Sequence, residues 1–444
     1  MMDEPTDAER YPTLSEEGRK MLHFLREHPS APTFRNKSGN RLTEADLAQV
    51  RSFHDEVARS KAGWPPGQRP DWLPPFQHHC LTQVPFYRRY GPLPRSFEEW
   101  PTISRADLSQ DIAAFVPDDV PIDRLINFRT SGTTGHPLLL ASHPTVAASY
   151  LAFHRQALRR HGIELQSGPG HVGVILVGFQ RKCFTYVSVT PILGEAGLAK
   201  INLHPDDWRD PEDRARYLDA LNAEILTGDP LSFAELLRLP LQTRPRALMS
   251  TSMALLPAFR EELEKRFRCP VLDIYSMNEA GPLACGVEGG HALLQHRMYV
   301  EILDEHGQSV PEGQRGEIVL TGGFNPWLPL LRYRTGDRAS LVHTSGEWLL
   351  KELEGRPPVQ FRTSTGEWIN NIEITHLLKN WPLAQWTVHQ QRDGAIRFRW
   401  TGSGVSESDL RAALKGLFGS LNLLMEQVPA LGDKVVQYTT ELTP

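Results

Sequence analysis

Residues 130–137 read Thr-Ser-Gly-Thr-Thr-Gly-His-Pro, so Thr130, Ser131, Gly132, Thr133, Thr134 and Gly135 put four hydroxyls and two glycines into six positions. A turn of that make-up presents backbone N–H groups and hydroxyl donors together, which suits it to wrapping phosphate oxygens. It lacks the Walker A spacing and no lysine follows it, and taken alone it also reads as a Ser/Thr/Gly surface turn. Further on, Asp273-Ile274-Tyr275-Ser276-Met277-Asn278-Glu279 places Glu279 just past the C-terminal end of a predicted strand. Open α/β sheets hold their ligands at that edge, although a single glutamate there also reads as a solvated loop residue. Arg332-Tyr333-Arg334-Thr335-Gly336-Asp337 then puts Asp337 in a glycine turn. A carboxylate so placed can bridge two neighbouring hydroxyls of a ribose; alone, it reads as a capped turn with a surface ion pair. Gly355-Arg356 follows at a predicted domain joint.

Positioning these groups requires a scaffold, and the chain shows one. Residues 1 to about 95 read as helices broken by proline-rich turns, with Thr43 capping a helix whose apolar positions continue to Val57. From about 126 short strands alternate with helices. The apolar run Val172–Val177 has the pattern of a buried parallel strand, and 223–228, 246–250 and 271–275 read as further strands. An amphipathic helix of about four turns is expected between Leu256 and Arg268. Near residue 290 the rhythm becomes antiparallel, with strands at Met298–Leu303 and Gly316–Leu320. After Gly355 come a strand pair, a helix at 371–380, two strands around 384–401, a helix at 406–419 and a last strand at 434–440. The expected fold is α/β: a large multi-layer N-terminal domain, 1–355, with mixed, largely parallel sheets and a small antiparallel part. Residues 1–95 form its helical leader, and a small α+β C-terminal lid, 356–444, completes the chain.

Composition narrows the function classes. The 444 residues suggest about three compact units, and an apolar share of 40% is ample for a large core. With 48 basic against 53 acidic residues there is no electrostatic footprint for nucleic acid and none for an anionic membrane. No apolar run is long enough to span a bilayer, and the acidic N-terminus lacks the apolar core of a signal peptide, so a cytoplasmic location is expected. Cys80, Cys183, Cys269 and Cys285 are too scattered for a CxxC redox motif or a paired-cysteine zinc site and read as buried thiols of a reducing compartment. Only ten of the 48 basic residues are lysines, which makes a lysine beside a motif more informative.

Together, in this order and spacing, the segments TSGTTGHP, YSMNE, YRTGD, the Gly355-Arg356 pair and a late lysine resemble the adenylate-forming superfamily of acyl- and aryl-CoA ligases, adenylation domains and luciferases. The likeness extends to the phenylacetate–coenzyme A ligase branch through Val84-Pro85-Phe86-Tyr87-Arg88-Arg89, through Trp100–Leu108, and through the run 329–337. It covers roughly residues 80–444. The resemblance implies that Ser131, Gly132, Thr133, Thr134 and Gly135 hold the β- and γ-phosphates of ATP. It implies that Tyr275 lies against the adenine, with Ser250, Thr251 and Ser252 on the other side of the base. Asn278 would lie near the α-phosphate, Glu279 would hold Mg²⁺, and Asp337 would accept bonds from the ribose hydroxyls. Arg356 would sit at the hinge, and Lys434 would bridge the acyl carboxylate and the α-phosphate. Phe179, Phe184 and Tyr186 are candidates for an aryl pocket, with ordinary core packing as the competing reading there and at Trp327.

The implied activity is ATP-dependent conversion of an aryl or other small organic acid to an acyl-AMP with release of pyrophosphate, followed by transfer to a thiol, coenzyme A first. Mg²⁺ and a lysine would neutralise the charge gathered where two anions meet. An amine or a carrier-protein thiol is the alternative acceptor, and a nucleotide-binding relative without turnover is the alternative of a different class. Three departures from the family pattern stand out: Pro357-Pro358 after the hinge arginine, which stiffens the joint, His136 where relatives carry lysine, and Ser276 in place of glycine. Monomer and homodimer are equally compatible with the sequence.

Overall fold

A computed structural model describes residues 6–90, 94, 96–129, 138–180, 183–355, 359–402, 404–431 and 436–443. Ser131, Gly132, Thr133, Thr134, Gly135, His136, Arg356, Pro357, Pro358 and Lys434 lie outside the described residues. The chain forms two compact units, each assembled from three stretches of sequence.

The first unit comprises Met1–Leu14, Asn40–Glu164 and Ile274–Pro357. The helix Glu44–Arg59 begins as the sequence predicts, at a Thr43 N-cap whose backbone N–H donates to Asp46 Oδ2 at 2.8 Å in a capping box. It packs against the helix Pro144–Arg159. An antiparallel sheet runs in the order Met298–Leu303, Arg315–Gly322, Leu330–Thr344, Glu347–Glu354, Gly290–Leu293, Gly281–Val287, and is joined at that end by residues 274–277 of the strand Val271–Met277. The core beneath it gathers Tyr87, Trp100, Ile103, Phe115, Ile318 and Tyr333.

Helix contact buries the titratable ring of His54 in this unit. His54 has its Nε2 3.3 Å from the Ala148 carbonyl oxygen, while its Nδ1 is buried without a partner among the described residues. Burial pushes its pKa from 6.5 down to about 4, against the raising influence of the Ala148 bond and Asp55 and with the help of Arg155 and Arg159. The folded ring therefore stays neutral where the unfolded one is charged. Its contribution to stability is complete above the unfolded value of 6.5 and falls away as pH drops toward 4. A shift of that size corresponds to about 3 kcal/mol. His54→Leu is accordingly expected to flatten the loss of stability between pH 7 and 4.5, read as the change in urea midpoint; an identical pH profile in the variant would remove His54 from the account.

The second unit comprises Ser15–Gly39, Leu165–Asp273 and Pro358–Pro444. Its sheet runs Tyr186–Thr190, Ala196–Asn202, Val172–Gly178, Ile225–Gly228, Ala247–Ser250, then residues 271–273, and every pairing except that of the first strand is parallel. The apolar runs predicted as buried strands are those parallel strands, which delivers the expected α/β layering. The helix Glu16–Glu27 packs close over Ala196–Asn202: a Cβ on Gly197 would meet Met21 Sδ at 2.8 Å. The helix predicted between Leu256 and Arg268 is present as Pro257–Phe267, three turns rather than four.

The C-terminal stretch of this unit has the hairpin Gln360–Arg362/Trp368–Asn370 and a four-stranded sheet ordered Leu423–Gln427, Ile396–Thr401, Gln385–Gln390, Tyr438–Thr440. The helices Asn371–Leu378 and Glu407–Phe418 accompany it. The strand Leu423–Gln427 is absent from the sequence-based expectation. Leu-Leu-Met-Glu-Gln carries no β-branched residue, and its place comes from parallel pairing with Ile396–Thr401 rather than from local propensity. Among the described residues no helix is long and apolar enough to cross a membrane.

Candidate functional site

The segment predicted as a glycine turn, Arg332–Asp337, is instead the interior of a fifteen-residue strand, Leu330–Thr344. The turn signal is real but local. Pairing with the neighbouring strand jumps from Val319↔Arg334 to Glu317↔Arg338, so Thr335, Gly336 and Asp337 stand opposite the single residue Ile318. Gly336 takes φ +80° there, and the bulge is fixed by bonds from Thr335 Oγ1 to the Ile318 carbonyl (2.9 Å), Gly336 N to Glu317 Oε1 (3.1 Å) and Asp337 N to Thr335 Oγ1 (3.0 Å). A bulge re-aims a side chain out of the pleat's alternation, and here it turns Asp337 toward the strand Val271–Met277. Tyr275 Oη donates to Asp337 Oδ2 at 2.7 Å. Burial, then the adjoining Asp337 charge, pushes the Tyr275 phenol well above its usual range, so it stays a proton donor.

Two residues beyond that strand, Glu279 is buried with its Oε1 accepting two bonds, from Arg105 Nη1 at 2.8 Å and from Tyr333 Oη at 3.3 Å. Neither partner is a site residue in the sequence analysis, yet both lie in segments it quotes: Arg105 in Trp100–Leu108 and Tyr333 inside the YRTGD run. Their meeting is built by the backbone. Ile103 N donates to the Arg332 carbonyl at 3.0 Å and Arg334 N to the Ile103 carbonyl at 2.8 Å, docking the extended chain beside Tyr333. Ser104 then caps the helix Arg105–Gln110 in a box with Asp107, which sets Arg105 at the first helical position. Burial, reinforced by the Glu279 charge, raises the Tyr333 phenol strongly.

A small pocket adjoins Glu279, lined among others by Asn278, Ser142, Val146, Tyr150, Phe324 and Asn325. Tyr150 and Phe324 pack edge to face at 5.3 Å. Burial lifts the Tyr150 phenol to about 12. The sequence does not mark these two aromatics because they lie far apart in the chain and outside any motif. Gly281, at φ +71°, is forced by this packing, since a Cβ would lie 2.4 Å from Phe324 Cε1.

The structure thus brings Tyr275, Asn278, Glu279 and Asp337 into the first unit. Ser250, Thr251 and Ser252 belong to the second, at the C-terminal end of Ala247–Ser250. Ser250 Oγ is buried with no partner among the described residues, Thr251 and Ser252 hydroxyls lie 3.3 Å apart, and Ser252 holds φ +70°. Phe179, Phe184 and Tyr186 also belong to the second unit. Phe179 is half-buried against the His204 ring, and Phe184 is 57% exposed, with Tyr186 edge-on and the Lys200 ammonium over its face at 5.9 Å. Trp327 is a core residue, stacked on His143 at 4.4 Å with its indole N–H donating to the Pro121 carbonyl at 2.7 Å.

Among the described residues no three His, Cys, Asp or Glu side chains gather into a metal cage. Glu279 nevertheless fits Mg²⁺ arriving with a polyphosphate, because that ion takes one or two carboxylates and completes its shell with phosphate and water oxygens. Among the described residues both bonds to Glu279 fall on Oε1, and Oε2 is the oxygen left for such an ion.

Comparison with known proteins bears on the family and the fold. The chain is 25% identical over 300 residues to the phenylacetate–coenzyme A ligase of Escherichia coli (strain K12), a match covering 60% of this chain and 64% of that protein. It is 36% identical over 89 residues to the phenylacetate–coenzyme A ligase of Pseudomonas putida, covering 19% of this chain and 20% of that one. The matched stretch is therefore less than two thirds of either relative. The fold is shared with 2-hydroxyisobutyryl-CoA ligase, solved in the postadenylation state with 2-HIB-AMP, at a TM-score of 0.61 and 19% identity over 82% of this chain and 88% of that one. The resemblance read from the motifs is borne out. A family model for AMP-binding enzymes matches residues 104–325, half of the 444 residues, and the chain belongs to that family.

Proposed function

We propose that this protein is an AMP-forming acid–thiol ligase that activates a small carboxylic acid with ATP and passes the acyl group to coenzyme A. The observation that carries the reading is the pair of prepared carboxylates in one unit. Asp337 is held by Tyr275, and Glu279 is held by Arg105 and Tyr333. A bulge-borne, oriented carboxylate suits two ribose hydroxyls, and a buried carboxylate with one oxygen unbonded among the described residues suits a metal-bound triphosphate.

In this reading Tyr275 fixes the orientation of Asp337 so that ribose binding costs little further ordering. Glu279 would hold Mg²⁺, which when bound supplies charge neutralisation at the phosphates. The hydroxyl–glycine loop 131–135 would hold the β- and γ-phosphates. Lys434, in a C-terminal lid beginning at Arg356, would draw the acid's carboxylate and the α-phosphate together. Little proton transfer is needed, so positioning and electrostatics supply the rate.

Carboxylate-dependent exchange of labelled pyrophosphate into ATP across a panel of aryl and short branched acids tests the first half-reaction. Absence of exchange with every acid, while ATP still binds, would favour the relative without turnover. Coenzyme A-dependent product formation then separates the thioester from an amide product. Asp337→Ala is expected to weaken ATP binding by the worth of charge-assisted bonds, about 1.5–3 kcal/mol; unchanged calorimetric affinity would remove the ribose role.

A further inference from the structure

The pairing of Arg105 with Glu279 has a function of its own, and we propose that Arg105 is a positioning residue that stands in for the metal: it neutralises and aims Glu279 until the divalent cation of the metal–nucleotide takes its place. This rests on the reading of Glu279 as the metal-holding carboxylate. Three features of the chain support it. Glu279 is buried, its side chain only 7% exposed, whereas the Arg105 side chain is 36% exposed and reaches solvent. A buried carboxylate without a counter-charge is costly, so some cation must accompany it whether or not nucleotide is bound. Arg105 is also not placed there by chance packing. The Ile103 backbone bonds to Arg332 and Arg334, together with the Ser104–Asp107 capping box, fix the point from which its side chain departs.

Tyr333 completes the device. Its hydroxyl shares Oε1 with Arg105 but is neutral and fully backed by the strand Leu330–Thr344. When the guanidinium leaves, Tyr333 keeps Glu279 aimed. The guanidinium and a metal ion cannot both press on the same carboxylate without repelling one another. Metal-free ATP, by contrast, brings four negative charges, and Arg105 shields those charges from Glu279. Arg105 should therefore soften the protein's discrimination between metal-bound and metal-free nucleotide.

The test is equilibrium binding of ATP by calorimetry, once with excess EDTA and once with saturating Mn²⁺, in the wild type, Arg105→Met, Arg105→Lys and Glu279→Gln. Turnover is not needed. In Arg105→Met the ratio of the two dissociation constants is expected to widen by about tenfold, because metal-free ATP then faces an unshielded carboxylate while Mn²⁺·ATP meets no competing cation. Arg105→Lys should keep a ratio near that of the wild type, and Glu279→Gln should narrow it. A ratio in Arg105→Met equal to that of the wild type overturns the proposal, as does a widened ratio in Arg105→Lys. If the wild type binds no ATP in either condition, the nucleotide reading itself fails, a different result from an unchanged ratio. Should Arg105→Met fail to fold, Arg105→Gln carries the same expectation.

Discussion

Carboxylate-dependent pyrophosphate exchange is expected to fall by about 10²–10³-fold in Lys434→Ala, the loss typical when a donor aimed at developing charge is removed, with ATP affinity nearly unchanged. The acid's carboxylate and the α-phosphate are both anions, and their approach is the obstacle to the reaction. Glu279 and its metal would serve the phosphate side, and no described cation is assigned to the acid. In this reading Lys434 interacts with the acid only as the bond to phosphorus forms, so its removal raises the barrier without loosening the nucleotide. Unchanged exchange would take Lys434 out of the chemistry. An equal loss of ATP affinity would make it a nucleotide ligand instead. Asp337→Ala provides the contrast, because its cost should appear in ATP binding.

The second large effect is structural. Arg332, 2% exposed, donates to both oxygens of buried Glu301, at 3.2 and 3.1 Å, and its Nη1 also reaches the Trp100 carbonyl at 2.7 Å and the Glu98 carbonyl at 2.5 Å. Burial raises the Glu301 carboxyl despite the neighbouring guanidinium, a sign that the charge depends on Arg332. Arg332→Met should therefore destabilise by about 3–5 kcal/mol, the cost of an uncompensated buried charge. Replacing both, Glu301→Met with Arg332→Met, should recover more than half of this, since the orphaned carboxylate is gone and only the carbonyls lose a donor. Denaturant midpoints of the three proteins check the pair. A double variant no better than the single one would show that Arg332 acts through the carbonyls. Either result matters for the site, because the same arginine precedes Tyr333 and holds the 98–100 segment that leads to Arg105.

Much of this was legible in the sequence. The parallel strands announced themselves as short runs ending in Val177, Gly228 and Ser250, and Thr43 marked its helix, because burial and capping are written in local residue types. Glu279 and Asp337 could be chosen because their motifs carry chemistry. What held them could not be read. The contact of Arg105 with Glu279 spans 174 residues and that of Tyr275 with Asp337 spans 62. Such pairings depend on which strand lies beside which, and no local pattern encodes that. The glycine of YRTGD reads as a turn for a related reason. A positive φ signals a departure from regular backbone, but whether it is a turn or a bulge is decided by the partner strand. Tyr150 and Phe324 were silent altogether, since an aromatic lining a pocket and one filling a core look alike in sequence.

The two units also bear on how the chain is made. The first unit needs Asn40–Glu164 and Ile274–Pro357, which the 109 residues of Leu165–Asp273 separate. On a ribosome adding about 5–20 residues per second, the turn carrying Glu279, 174 residues on, emerges roughly 9–35 s after the Arg105 segment it must join. Until then Trp100, Ile103 and Phe115 have no sheet to cover them. The nascent chain must carry this exposed apolar surface through synthesis of the intervening segment, which makes that interval the natural point for chaperone engagement and for aggregation when expression is fast.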